Sequence, residues 1–467
     1  MNVILLTALL LQVVAIVLLR HRLGHYWLRH PVTLISLLSA IYQGISQILL
    51  TFQSIGAQDP YRNGVEQSFI NSATLLISAG MLIFTIAYLM TRPERTDVAG
   101  KSADIREVVK ALDWRWLTGA CVPLAVLTYE GRGYNGSVTM AGSASPVGSD
   151  LASTFFIVLI VIAAYSFLLK CGIRWFIPVL ILQSLVLAAA GEQTPVIEDA
   201  IALILMLSLT VSPPSAKQLS GVIALMLTTI LAITGLRAQH DRALFNQDSG
   251  LSTRISALAS GLTDFTSTFD ASSTGSAMVA QGASRVDGVD FAAAILQSLS
   301  SGQPRLSATY VAESLLIAVP SPVWSSKLDH GDALNPSQLE INDFGLPDIN
   351  FLPTLPGLYV GFLSAPWLLA FLAFIGLLCG WGERWLLRRC TPARIVLLGG
   401  AVIAAMSYER GLPSMLLALR SAAVIALVVK LIELLRARNT HRHGSENVDA
   451  GEDFDRERLS STARLSS

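Results

Sequence analysis

Apolar residues in this chain collect in long runs separated by polar stretches. A helix that crosses a bilayer needs roughly 20 apolar residues, within a range of about 17–25. Eleven runs approach or meet that length: about 2–19, 31–51, 69–91, 115–129, 152–169, 175–190, 197–212, 218–236, 357–380, 394–408 and 413–435. The runs at 175–190 and 197–212 are joined only by Gly191-Glu192-Gln193-Thr194-Pro195, which suits a tilted hairpin or a re-entrant pair. The fold expected is all-α: a polytopic integral membrane helix bundle of about 11 spans with one large, partly helical extracytoplasmic loop. In chain order this gives spans 1–8 over 1–236, the loop over 237–356, spans 9–11 over 357–435, and a disordered polar tail over 436–467.

Basic residues in the short loops set orientation. One alternate set of loops carries sixteen, including Arg20, Arg22, Arg92, Lys110, Arg384 and Arg388; the other set carries only Arg62, Arg132 and Arg410. The first set is expected to be cytoplasmic. That starts the N-terminus outside and ends the C-terminus inside a cell (inner or plasma) membrane. Trp27, Trp114, Trp116, Trp175, Trp381 and Trp385 fall at the inner ends of the runs, where interfacial anchors belong. The first run is followed, not preceded, by arginines, so it reads as a retained span.

Composition narrows the class. Hydrophobic residues make up 52% and charged residues 14%, where a soluble domain carries about 25% charged. Lysine plus arginine and aspartate plus glutamate are both 33, so no net basicity points to nucleic acid. The four cysteines, Cys121, Cys171, Cys379 and Cys390, have no zinc spacing, and none lies in the large loop. No cytoplasmic loop exceeds about 25 residues, too few for a nucleotide-binding domain.

The large loop has its own pattern. Leu251, Ile255, Leu258, Leu262, Phe265 and Phe269 recur at helical spacing. A Gly/Ser/Ala-rich linker at 271–284 follows. Further helices are expected at 287–299, with Phe291, Ile295, Leu296 and Leu299 on the apolar side, and at 308–318. The loop holds six basic residues and twelve acids, so an anion site there must come from a few placed side chains, not from the overall field.

From Arg285 to Trp385 the chain resembles the Wzy-type O-antigen and oligosaccharide repeat-unit polymerases, in the wider group that includes the O-antigen ligases. The resemblance rests on Arg285-Val-Asp287-Gly288, Val319-Pro320-Ser-Pro322-Val-Trp324-Ser-Ser-Lys327, Phe344-Gly345-Leu346-Pro347 and Leu355-Pro356-Gly357-Leu-Tyr359-Val-Gly361-Phe362. Beyond these, Glu409-Arg410-Gly411 sits in a short outer turn. The layout, with one large outer loop three spans before the C-terminus, is also similar to theirs. In the turn where these polymerases often carry an arginine soon after a glycine, this chain reads Gly191-Glu192-Gln193. The resemblance implies transfer of a growing glycan from polyprenyl pyrophosphate onto a lipid-linked repeat unit at the outer face, without metal or other cofactor. The implied partners are the lipid-linked donor and acceptor, the bilayer and a candidate chain-length regulator.

Such a transfer needs cations where the pyrophosphate leaves, and a base near the acceptor hydroxyl. Arginine suits the first role because its planar guanidinium stays charged and offers paired donors. Arg410 is the first candidate, since it is the one basic residue in its outer turn. Arg420 lies about 14 Å deeper at 1.5 Å per residue, and a charge within a span usually faces the bundle or a wet cavity. Arg285 is a pyrophosphate candidate with Asp287 as orienter or base; Lys327 with Trp324 offers a cation and a stacking surface for a sugar; Glu409 and His330 are candidate bases. Each has a structural alternative: a snorkelling or capping arginine at 410, a helix–helix pair at 420, a helix-start salt bridge at 285 and 287, a solvated loop lysine at 327, an incidental histidine at 330, and simple neutralisation of Arg410 by Glu409. Two other functions stay open. An O-antigen-type ligase would use the same fold with a different acceptor. A glycan flippase or transporter would usually have more spans and shorter loops.

Overall fold

A computed structural model of the chain describes residues 3–50, 62–91, 104–131, 147–189, 200–204, eight positions between 215 and 225, 288–319, 336–346 and 353–435. Among these every regular element is helical. The first α-helices are α1 (Val3–Leu23), α2 (Pro31–Ser39), α3 (Ser46–Leu50), α4 (Gln67–Thr91), α5 (104–111), α6 (Trp114–Gly131), α7 (Val147–Cys171) and α8 (Phe176–Ala189). From the large loop come α9 (Asp290–Ser300), α10 (Thr309–Leu315) and α11 (Pro336–Phe344); α12 (Ala365–Leu387), α13 (Pro392–Met406) and α14 (411–435) follow.

Five stretches among the described residues are long and apolar enough to cross a membrane: Val3–Leu23, Pro31–Ile48, Gln67–Thr91, Ala365–Leu387 and Pro392–Leu435. Shorter apolar helices occupy Ile157–Cys171 and Ile173–Gln183. The last long stretch doubles back on itself. A Cβ built on Gly400 would lie 2.1 Å from the Cβ of Ala422, and these residues are equally far in sequence from Gly411. Gly411 has φ of +76°, a conformation open to glycine, and it turns α13 into α14.

Side-chain contacts fix the helix directions. Gly80 meets Leu372, Gly376 meets the Phe84 carbonyl and Gly380 meets the Tyr88 carbonyl, so α4 and α12 run parallel at a constant register. Gly376 and Gly380 are four apart on one face of α12, the small-residue spacing that lets two backbones approach closely. The Ser36 and Thr85 hydroxyls are 3.4 Å apart, and Gln12 bridges Gln43 and Ser78 at 3.4 and 3.1 Å. Hence α1, α4 and α12 run one way, and α2 the other.

At one end of this group His30, Tyr88 and Glu383 meet in the interior. His30 Nδ1 is 2.5 Å from Glu383 Oε1, and the Tyr88 hydroxyl donates to Glu383 Oε2 at 2.6 Å. Arg20 and Arg22 close α1 at this end, and Arg384 lies one residue beyond Glu383.

Several expectations shift. The run 31–51 is helical but interrupted by a π-helical turn at Ala40–Ile45. The run 357–380 begins its long helix only at Ala365 and carries it to Leu387. Residues 353–364 form turns and a 3₁₀ segment at Gly357–Tyr359 instead. They are tied into the loop by Arg305 Nη1, which donates to the carbonyls of Val360 (2.7 Å) and Leu363 (2.8 Å), and by Leu306 N–H to Gly361 O (3.1 Å). The helix expected at 287–299 forms as α9, with Phe291 and Ile295 buried and Leu296 and Leu299 packed at the edge of the core. The stretch expected at 308–318 is helical over Thr309–Leu315 and continues as 3₁₀ to Ala318. The amphipathic pattern at 251–269, the linker and the polar tail lie outside the described residues, as do most of the runs 197–212 and 218–236.

Candidate functional site

Opposite the His30–Glu383 end, four parts of the chain converge: the π-helical turn after α2, the start of α9, the segment 353–358 and the turn between α13 and α14. The turn is a 3₁₀ segment, Ser407–Arg410. Tyr408 is wholly buried, and its hydroxyl accepts from Gln43 Nε2 at 2.6 Å. The next residue, Glu409, accepts a hydrogen bond on Oε2 from the Tyr42 hydroxyl. Adjacent residues of the π turn thus grip adjacent residues of the turn between α13 and α14.

The large loop joins them through its backbone. Gly288 N–H donates to the Tyr42 carbonyl at 3.2 Å, and Thr354 N–H donates to the Glu409 carbonyl at 3.0 Å. A Cβ on Gly288 would stand 2.3 Å from Thr354 Cγ2, so this contact requires glycine. Thr354 has φ of +49°, an outlier for a β-branched residue, and is wholly buried. A π turn, a left-handed threonine and a left-handed glycine at 411 all meet here. Local irregularities of this kind cost free energy and concentrate at functional positions.

Among the described residues Glu409 and Arg410 bring charge to this junction. Glu409 is nearly covered, at 12% exposure; Arg410 is 45% exposed. Arg410 Nε is 3.9 Å from Glu409 Oε1, too far for a hydrogen bond. Among the described residues the Arg410 guanidinium makes no hydrogen bond, and Glu409 Oε1 accepts none. Among the described residues one carboxylate oxygen is therefore held and the other is open, beside an open guanidinium.

Nearby, Arg62 Nη1 reaches Gln47 Oε1 at 3.2 Å and lies 3.7 Å from Asp290 Oδ2. Gln297 of α9 accepts from Glu66 N–H at 2.8 Å and donates to Gly64 O at 3.1 Å. These contacts dock α9 onto the turn before α4.

Of the residues singled out from sequence, the structure brings Glu409 and Arg410 together. It places Arg420 within α14, half-buried, more than two helical turns past Arg410. Arg285, Asp287, Trp324, Lys327 and His330 lie outside the described residues. Sequence reasoning did not select Tyr42, Gln43, Tyr408 or Thr354. The first two sit in an apolar run and look like tolerated polar residues; no spacing rule announces a π turn. Among the described residues no group of three or more His, Cys, Asp or Glu is placed to hold a metal. Compared with protein-family models, curated proteins and solved structures, the chain matches none.

Proposed function

We propose that the chain is a membrane-embedded polysaccharide polymerase. It transfers a growing glycan from polyprenyl pyrophosphate onto a lipid-linked repeat unit at the outer face. The observation that carries this reading is the open guanidinium of Arg410 beside the half-held carboxylate of Glu409, at the end of the bundle away from its basic cluster. The resemblance around residues 285–385 supplies the reaction class.

In this reading the acceptor hydroxyl gives its proton to Glu409 Oε1 and its oxygen bonds the anomeric carbon of the donor. The bond from that carbon to the pyrophosphate oxygen breaks, and the lipid pyrophosphate leaves with the electron pair. Arg410 faces that departing charge, where a preorganised cation in a partly water-excluded site is most effective. Arg285, Asp287, Lys327, Trp324, His330 and Arg420 remain candidates for holding donor and acceptor. No step calls for a metal or other cofactor. The inner face is the one bearing Arg20, Arg22, Arg384 and Arg388.

Deletion of the gene, with surface glycan resolved on a gel, tests the reading. A ladder that collapses to single repeat units is expected; unchanged chain length would overturn it. Complete loss of glycan from the surface acceptor, with long lipid-linked chains retained, would instead identify a ligase. Single units stranded at the inner face would identify a flippase. Restoring the deletion with Arg410→Ala should leave the ladder collapsed at normal protein level, and Arg410→Lys should restore it only partly, because an ammonium lacks the paired donors.

A further inference from the structure

The geometry assigns Tyr42 as the residue that positions Glu409 for proton transfer. The inference rests on the polymerase reading and goes beyond it, since neither the apolar run nor the resemblance singles out Tyr42. The first observation is the bond itself: the Tyr42 hydroxyl donates to Oε2 of Glu409, leaving Oε1 turned toward Arg410. A carboxylate tied by one oxygen is fixed in rotation, so the other presents its lone pairs in one direction.

The second observation is how Tyr42 is held. It sits in the π turn Ala40–Ile45. Its carbonyl accepts from Gly288 N–H at 3.2 Å and from the Ser46 hydroxyl at 2.6 Å. Its ring lies 6.3 Å from that of Tyr408. The neighbouring Gln43 pins the Tyr408 hydroxyl. A regular helix would turn residues 42 and 43 about 100° apart with no slack in the ladder; the wider turn lets both reach the same short outer segment.

Third, the backbone of Glu409 is fixed separately, by Thr354 N–H at 3.0 Å. Main chain and side chain are thus each set by a different part of the protein: the main chain by the end of the loop, the side chain by the π turn. An acid serving only to neutralise Arg410 would need neither constraint. The acceptor's proton goes to Oε1 while Tyr42 keeps its own, so the tyrosine neither gains nor loses a proton in the step.

The test uses the full-length protein in nanodiscs. Its substrate is the host's own lipid-linked repeat units, extracted from a strain lacking the gene. Tyr42→Phe keeps the ring and removes the hydroxyl. Turnover should fall about tenfold or more, as expected for losing a hydrogen bond to a charged group, with KM for the lipid-linked unit little changed. In a Glu409→Gln background the same change should cost little more. A Tyr42→Phe enzyme with wild-type turnover would overturn the assignment, as would losses that multiply in the double variant. Failure of the polymerase reading has a different signature: wild-type protein then elongates nothing.

Discussion

Glu340 is the carboxyl group with least access to water in the described part of the loop. It is wholly buried; Oε1 accepts from Gly361 N–H at 3.0 Å, and Oε2 has no hydrogen-bond partner among the described residues. Burial pushes its carboxyl well above the usual carboxylate range, against the smaller opposing effect of the Gly361 bond. A raised folded-state value has a definite sign. The stability tied to the neutral acid is fully present below the ordinary carboxylate range, and is lost as pH rises toward the folded-state value. Glu340→Gln keeps an acceptor for Gly361 and cannot ionise. Melting of the solubilised protein should therefore lose less stability with rising pH in this variant than in the wild type, and an identical slope would refute the account. The same residue marks a limit of sequence reading. Glu340 looks like an ordinary acid in a polar loop, because its burial depends on the close approach of Gly361, where a Cβ would stand 2.6 Å from its Oε1. Arg410 stands out in the sequence for the opposite reason: it is the one basic residue of its short loop, which needs no structure to see.

At the scale of elements, the apolar runs forecast where helices lie better than where they start. The run opening at 357 follows Pro356 and contains Gly357, Gly361 and Pro366, and its first residues are drawn into the loop by Arg305, Leu306 and Glu340. Hydropathy registers their apolar character and not the partners that claim their backbone. The parallel pairing of α4 with α12 is similarly hidden, since these helices are separated by some 270 residues of chain. It depends on glycine, and that gives a prediction. A side chain at 376 would meet the Phe84 carbonyl at 2.3 Å, whereas Gly382 on the same helix has nothing within 4 Å. Backbone cannot rotate away as a side chain can, so Gly376→Leu should destabilise by about 1–3 kcal/mol or more. Gly382→Leu should be nearly neutral. Thermal melting in detergent compares the two, and equal midpoints would remove the close approach as a determinant of the bundle.

Across the whole molecule, loop charge and helix packing sort the basic residues in the same way. Counting arginines and lysines uses only loops and says nothing about contacts. The packing of α1, α2, α4 and α12 uses only buried side chains, yet it gathers Arg20, Arg22, Arg384 and Arg388 toward one end and leaves Arg62 and Arg410 at the other. Helices of 21, 25 and 23 residues span about 32–38 Å at 1.5 Å per residue, enough for a hydrocarbon layer about 30 Å thick. Their outward faces are apolar, with Leu10 60% and Phe374 55% exposed, as a lipid-facing surface would be. Near the basic end Trp381 is 63% exposed, and the Arg394 guanidinium lies 4.6 Å over the Trp385 ring, a pairing suited to the headgroup layer. Thiol labelling can read the sidedness. In a background with Cys121, Cys171 and Cys379 replaced by serine, a membrane-impermeant maleimide on intact spheroplasts should label Gly64→Cys and spare Cys390 until the membrane is opened. Labelling of Cys390 in intact spheroplasts with Gly64→Cys protected would invert the orientation. The Glu409–Arg410 turn would then face the cytoplasm, on the opposite side of the membrane from the proposed reaction.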